Sequence, residues 1–66
     1  MNNKIRVARA EVRMTQQQLA EAVDVSRQTI NAIESGKFVP STVLAFKIAR
    51  TFGKSVEDIF SLEEND

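Results

Sequence analysis

The chain contains no cysteine and no histidine. The first absence removes disulfides. The two together remove ordinary structural zinc, thiolate nucleophiles, Ser–His dyads and imidazole acid–base chemistry. Tryptophan and tyrosine are missing as well, and the aromatic residues are 4 phenylalanines. Gly 2 and Pro 1 leave few breaks in the chain. No run approaches the ~18 apolar residues that span a bilayer. The start, Met1-Asn2-Asn3-Lys4, leads into a charged segment and not into the apolar core of a signal peptide. The expectations are therefore no membrane partner, a cytoplasmic location, no cofactor, no metal and no small-molecule ligand.

What is present is 66 residues with 42% hydrophobic and 27% charged content, the composition of an ordinary globular domain. At roughly 100–200 residues per domain this is a single unit, residues 1–66. A chain so short buries only about 60% of the surface that its unfolded state exposes. With disulfides and zinc gone, helix packing and oligomerisation are the remaining means of stabilisation. The net charge of +0 conceals a division. Residues 1–54 carry all 9 bases against four acids, leaving +5, whereas residues 55–66 carry five acids and no base. A basic body with an acidic end suits an anionic partner met on one side. The sequence pI of about 6.2 lies well under the value above about 9 that marks strong nucleic-acid binders. The acids of the body stand singly, with no paired constellation, so a carboxylate-based metal-assisted hydrolase has no visible site and no enzyme is expected.

The breaks separate segments of helical period. A first helix is expected from about Lys4 to Val12, capped by Asn2 or Asn3, with Ile5, Ala8, Arg9 and Val12 on one face. Thr15-Gln16-Gln17-Gln18 is a capping box, which starts a second helix near Gln16 that ends near Val23 and buries Leu19, Ala20 and Val23. Ser26 caps a third helix, Arg27 to about Ser35, with Gly36 where a left-handed C′ residue belongs. Ser41 caps a fourth, about Thr42 to Thr51, that buries Leu44, Ala45, Ile48 and Ala49 before Gly53 ends it. Ser55-Val56-Glu57-Asp58 is another capping box, opening a short fifth helix through Phe60. The alternation of Phe60 and Leu62 with polar neighbours hints at a short C-terminal strand. The fold class is all-α: a five-helix bundle, residues 61–66 forming its acidic tail.

Helices two and three are joined by about three residues, Asp24-Val25-Ser26, so they cross at a large angle and the second can project. At about 100° per residue from Arg27, Ile30 falls near 300° and Ile33 near 240°, which sets the inward side of the third helix. Gln28 at about 100°, Asn31 at about 40° and Ala32 at about 140° then face outward, with Arg27 at the edge. Arg pairs bidentately with guanine, and Gln or Asn with adenine, in the DNA major groove. A polar face is by itself more often merely solvated, but Gln and Asn without Glu or Lys is an unusual choice for one. Glu34, near 340°, sits oddly close to the apolar side, as Arg9 does on the first helix, and the two are expected to form a structural ion pair.

The stretch Thr15-Gln16-Gln17-Gln18-Leu19-Ala20-Glu21, together with Val25-Ser26-Arg27-Gln28-Thr29-Ile30-Asn31-Ala32-Ile33-Glu34-Ser35-Gly36-Lys37, resembles the helix-turn-helix of Cro/phage-repressor-type (Xre family) transcriptional regulators. The likeness continues through Pro40-Ser41 and Leu44-Ala45-Phe46-Lys47-Ile48-Ala49, and so covers nearly all of the chain. It implies a five-helix DNA-binding domain with its helix-turn-helix at 16–35, the third helix in the major groove and the second across the backbone. Carried over by position, Arg27, Gln28, Asn31 and Ala32 are the base contacts, Ala32 toward a thymine methyl. Gln16, Gln17, Ser26, Thr29 and Lys37 are the phosphate contacts, which set register and affinity. The family usually has glycine at the positions of Asp24 and Arg13, and Asp24 is expected to tolerate the turn at a cost of order 1 kcal/mol.

Phe46, Phe52, Ile59 and Phe60 exceed what a core of five short helices needs. A homodimer is therefore expected, with Phe52, Ile59, Phe60 and Leu62 at its interface and the C-terminal strands paired across a twofold axis. The function expected is a sequence-specific regulator of transcription, a repressor binding a palindromic site on double-stranded DNA. The rival is a protein–protein module, such as an antitoxin or a partner-binding subunit, that docks another protein through the exposed phenylalanines.

Overall fold

Serine and threonine hydroxyls start four of the five helices, and residues in the left-handed region end four of them. The computed structural model describes residues 1–66. Their order is β1 (Asn2–Asn3), α1 (Ile5–Val12), α2 (Gln16–Val23), α3 (Arg27–Glu34), α4 (Thr42–Thr51), α5 (Val56–Ile59) and β2 (Phe60–Ser61). Thr15, Ser26, Ser41 and Ser55 each accept a hydrogen bond from the backbone N–H three residues on. Both expected capping boxes close: the Thr15 N–H donates to Gln18 Oε1 at 2.8 Å, and the Ser55 N–H to Asp58 Oδ2 at 3.0 Å. Each such cap satisfies an otherwise orphaned helix-end donor and contributes about 1 kcal/mol.

The C-termini of α1 to α4 share one closure. The residue in the left-handed region is Arg13 (φ 56°), Asp24 (φ 63°), Gly36 (φ 80°) or Gly53 (φ 64°). The N–H just past it reaches back to the helix, as Met14 to the Arg9 carbonyl at 2.9 Å, Val25 to Ala20 at 3.0 Å, Lys37 to Ala32 at 2.9 Å and Lys54 to Ala49 at 3.0 Å. These are Schellman closures, usually built on glycine because it has no Cβ penalty there. Arg13 and Asp24 adopt the same geometry with a side chain, so the turn into α3 survives its departure from glycine.

Six side chains are fully buried and lie where the elements converge: Ile5 from α1, Leu19 from α2, Ile30 and Ile33 from α3, Ile48 from α4 and Ile59 from α5. Ala20, in the α2–α3 contact, is 0% exposed, and its small side chain lets the two helices approach closely. Phe60 closes the end of this core, and Phe52 and Val56 pack against it half-buried.

Several expectations change. Asn2 and Asn3 form β1, and the N-cap position of α1 falls to Lys4, which makes no side-chain hydrogen bond. Asn3 instead ties the N-terminus down: its Nδ2 donates to the Ile33 carbonyl at 2.9 Å and its Oδ1 accepts from the Ile5 N–H at 3.3 Å. The C-terminal strand exists but pairs within its own chain, antiparallel to β1, with Asn2 opposite Ser61 and Asn3 opposite Phe60. Helix α5 stops at Ile59, and Phe60 is already extended. Ile59 and Phe60, expected at a dimer interface, are 2% and 6% exposed inside the protomer, because α5 and the small sheet fold over the open end of the core. Val12, the last residue of α1, is exposed, and Leu44 is only half-buried.

Candidate nucleic-acid interface

Ser26 caps α3 through its Oγ, which accepts from the Thr29 N–H at 3.1 Å and lies 3.0 Å from Thr29 Oγ1. Ile30 and Ile33 anchor the opposite face in the core. That anchoring leaves Arg27, Gln28, Asn31 and Ser35 exposed and Ala32 half-buried on the outward side, as the helical period requires. Apart from one long contact at Asn31, none of the Arg27, Gln28 or Asn31 side chains is engaged by another side chain. The Ser35 hydroxyl, by contrast, donates to the Ala32 carbonyl at 3.2 Å and is occupied by its own helix.

The N-terminus of α2 lies beside this face, since Asn31 Nδ2 is 3.5 Å from Gln16 Oε1. Gln16 is half-buried there, and Gln17 is exposed, donating from Nε2 to Glu21 Oε2 at 3.2 Å. Lys37 is exposed just past the end of α3. The outward face of α3, the free amides of the first turn of α2 and a cation beyond the far end of α3 are what a groove-entering helix and its flanking phosphates require.

Below this surface lies the ion pair expected from the two misplaced charges. Arg9 Nε donates to Glu34 Oε2 at 2.7 Å and Nη2 to Oε1 at 3.0 Å, while Nη1 donates to the Met14 carbonyl at 2.9 Å. The Glu34 side chain is only 1% exposed. Burial pushes its carboxyl up, but hydrogen bonds from Arg9 and Gln16 and the charges of Arg9 and Arg6 outweigh that and hold it below the usual value. The hydrogen bond to Glu34 correspondingly raises Arg9, against the opposing effect of its own burial. Two participants were not foreseen: Gln16 Nε2, donating to Glu34 Oε1 at 3.2 Å, and Arg6, whose Nε is 3.6 Å from the same oxygen. Arg6 stands three residues before Arg9 in α1, and this spacing is the signal that marks it. The fork–fork geometry fixes α1 to the C-terminal end of α3.

Of the residues expected to cover a second copy, Leu62 is 77% exposed and Phe52 half-buried, while Ile59 and Phe60 belong to the core. Further exposed apolar side chains stand on and before α4, at Phe38, Val39, Val43 and Phe46. The acidic end turns toward the N-terminus, where Asp66 Oδ2 is 3.0 Å from the Met1 ammonium group. No helix is long and apolar enough to cross a membrane.

Known proteins place this arrangement. The helix-turn-helix family matches residues 5–59. An uncharacterized HTH-type transcriptional regulator of Methanocaldococcus jannaschii is 53% identical over 66 residues, covering 100% of each chain. Another, from Bacillus subtilis, is 47% identical over the same length, again with 100% of both chains covered. Among solved structures, the clp gene regulator ClgR from Corynebacterium glutamicum superposes with a TM-score of 0.77 at 33% identity, over 82% of this chain. This chain spans only 57% of that one's length. The family is one of regulators and not of enzymes. With its five helices, its tight α2–α3 turn and its buried Ile30/Ile33 face, the chain belongs to the Cro/phage-repressor-type family of helix-turn-helix proteins.

Proposed function

We propose that this protein is a sequence-specific regulator of transcription that inserts α3 into the major groove of double-stranded DNA. The observation that carries the reading is the conjunction at Asn31 and Gln16. It sets the exposed Arg27, Gln28 and Asn31 face of α3 directly beside the N-terminus of α2. In this reading Arg27 and Gln28 read base edges, Asn31 reads adenine, and Ala32 touches a thymine methyl. Gln16, Gln17, Ser26, Thr29 and Lys37 engage phosphates. The uneven charge, +5 over residues 1–54, supplies the long-range attraction.

The protein acts as a homodimer on a palindromic operator, its recognition helices about 34 Å apart to match half-sites about 10–10.5 bp apart or a multiple. The exposed Val43, Phe46 and Leu62 and the half-buried Phe52 support a second copy, now without Ile59 and Phe60. Binding over a promoter excludes polymerase, so the output is repression, and the site of action is the cytoplasm. The exposed Phe38 and Phe46 also favour a second reading, a module that docks a different protein.

Selection of bound duplexes from a random pool tests the two. Enrichment of a palindrome supports the DNA reading. Absence of any enriched sequence at low salt, with a heterologous protein co-purifying, supports the docking module and ends the first.

A further inference from the structure

The Glu34 carboxylate only accepts hydrogen bonds, and its Oε1 takes one from Arg9 Nη2 at 3.0 Å and one from Gln16 Nε2 at 3.2 Å. A glutamine side-chain amide is nearly symmetric in shape, so rotation by half a turn exchanges donor for acceptor at little steric cost. Beside Glu34 the exchange is forbidden, because it would set the Gln16 carbonyl oxygen against a buried carboxylate. Gln16 Oε1 is therefore turned the other way, toward α3, where Asn31 Nδ2 lies 3.5 Å off. Asn31 faces the same choice of orientation, and an acceptor beside it selects its NH2 end. Its Oδ1 and its second N–H have no partner within the protein, and the residue is exposed.

We propose that Gln16 is a positioning residue that passes the acceptor-only character of Glu34 on to Asn31, fixing which end of the Asn31 amide meets the base pair before DNA arrives. The proposal rests on the reading of Asn31 as a base contact. Asparagine recognises adenine by accepting from N6 and donating to N7. An amide of fixed polarity makes that pair with adenine on one strand only. One that flips freely serves more than one donor–acceptor arrangement and discriminates less. The second hydrogen on Gln16 Nε2 stays free, so the same side chain can also meet a phosphate. A buried ion pair between α1 and α3 thereby acts on base choice without touching DNA.

The test is base preference at each position, measured by selection with the wild type, Asn31→Ala, Gln16→Met and the double variant. Asn31→Ala identifies its base pair by the preference lost there. Gln16→Met keeps the side-chain length and the Arg9–Glu34 pair but removes the amide. Beyond an equal loss on every duplex from its phosphate contact, it is expected to lower preference at that pair alone by about tenfold, within the range of one bidentate contact, and to change no preference further when Asn31 is already alanine. Should Gln16→Met not fold, Gln16→Ala takes its place. In the free protein, NMR should then show a fall in the order parameter of the Asn31 side-chain amide. Preference at that pair left unchanged by Gln16→Met, preference lowered equally at every position, or an Asn31→Ala variant that alters no base pair overturns the proposal. A wild type that selects no sequence defeats the proposed function itself.

Discussion

Replacing Arg9 by methionine leaves the Glu34 carboxylate, with a side chain 1% exposed, without its two shortest hydrogen bonds, of 2.7 and 3.0 Å. Stripping one partner from a buried pair costs about 3–5 kcal/mol, because the remaining charge is uncompensated. Here the Gln16 hydrogen bond at 3.2 Å and Arg6 at 3.6 Å still face the carboxylate, so the lower end applies, about 3 kcal/mol. For a domain of this size total stability is roughly 3–10 kcal/mol, so the variant sits near the limit of folding, with Tm down by about 12–24 °C. Arg9→Met with Glu34→Leu removes both charges and keeps apolar volume, and should lose only about 1 kcal/mol. Urea unfolding of the two single variants and the double closes the cycle, with an expected coupling above about 2 kcal/mol at unchanged m. Single-variant losses that simply add would refute the pairing as the link between α1 and α3.

Asp24→Gly and Arg13→Gly should each stabilise the fold by about 0.5–1 kcal/mol. Relief of the left-handed strain, about 1–2 kcal/mol, exceeds the added freedom of a glycine in the unfolded chain, and chemical denaturation reads the difference. The Glu34 carboxyl lies below its ordinary 4.5 in the folded state, so its contribution is full above that pH and is lost as the pH falls through the lower folded value. Glu34→Gln should accordingly flatten the fall in stability below about pH 4.5 and leave the slope near neutrality unchanged. In DNA binding, Lys37→Ala should weaken all duplexes alike and lower the salt slope by about one, whereas Gln28→Ala should cost about 1–3 kcal/mol at one base pair per half-site. If the two variants behave alike, the division of roles is wrong.

The inner and outer faces of α3 were legible in the sequence because Ile30 and Ile33 are its only large apolar residues and set one direction. The caps were legible because Thr15, Ser26, Ser41 and Ser55 each precede a helical period and offer a hydroxyl to an orphaned N–H. Arg9 and Glu34 revealed themselves by standing on apolar sides. The small sheet was legible at one end only. Two residues such as Asn2–Asn3 carry no alternation, and asparagine before a helix reads equally as a cap. Ile59 and Phe60 were assigned to the wrong surface because counting aromatic residues gives a core volume but not its closure, and α5 with β2 supplies that closure. The Gln16 contacts to Glu34 and Asn31 depend on how α1, α2 and α3 meet, which residue spacing within any one helix does not encode.

The most direct measurement is the change in backbone and side-chain amide NMR shifts when a selected duplex is added. The expected result is a set of large shifts at Arg27, Gln28, Asn31, Gln16 and Gln17, with Val7, Glu11 and Glu57 little changed. Shifts concentrated on Val43, Phe46 and Arg50, with α3 silent, would contradict the claim that α3 is the face that meets DNA.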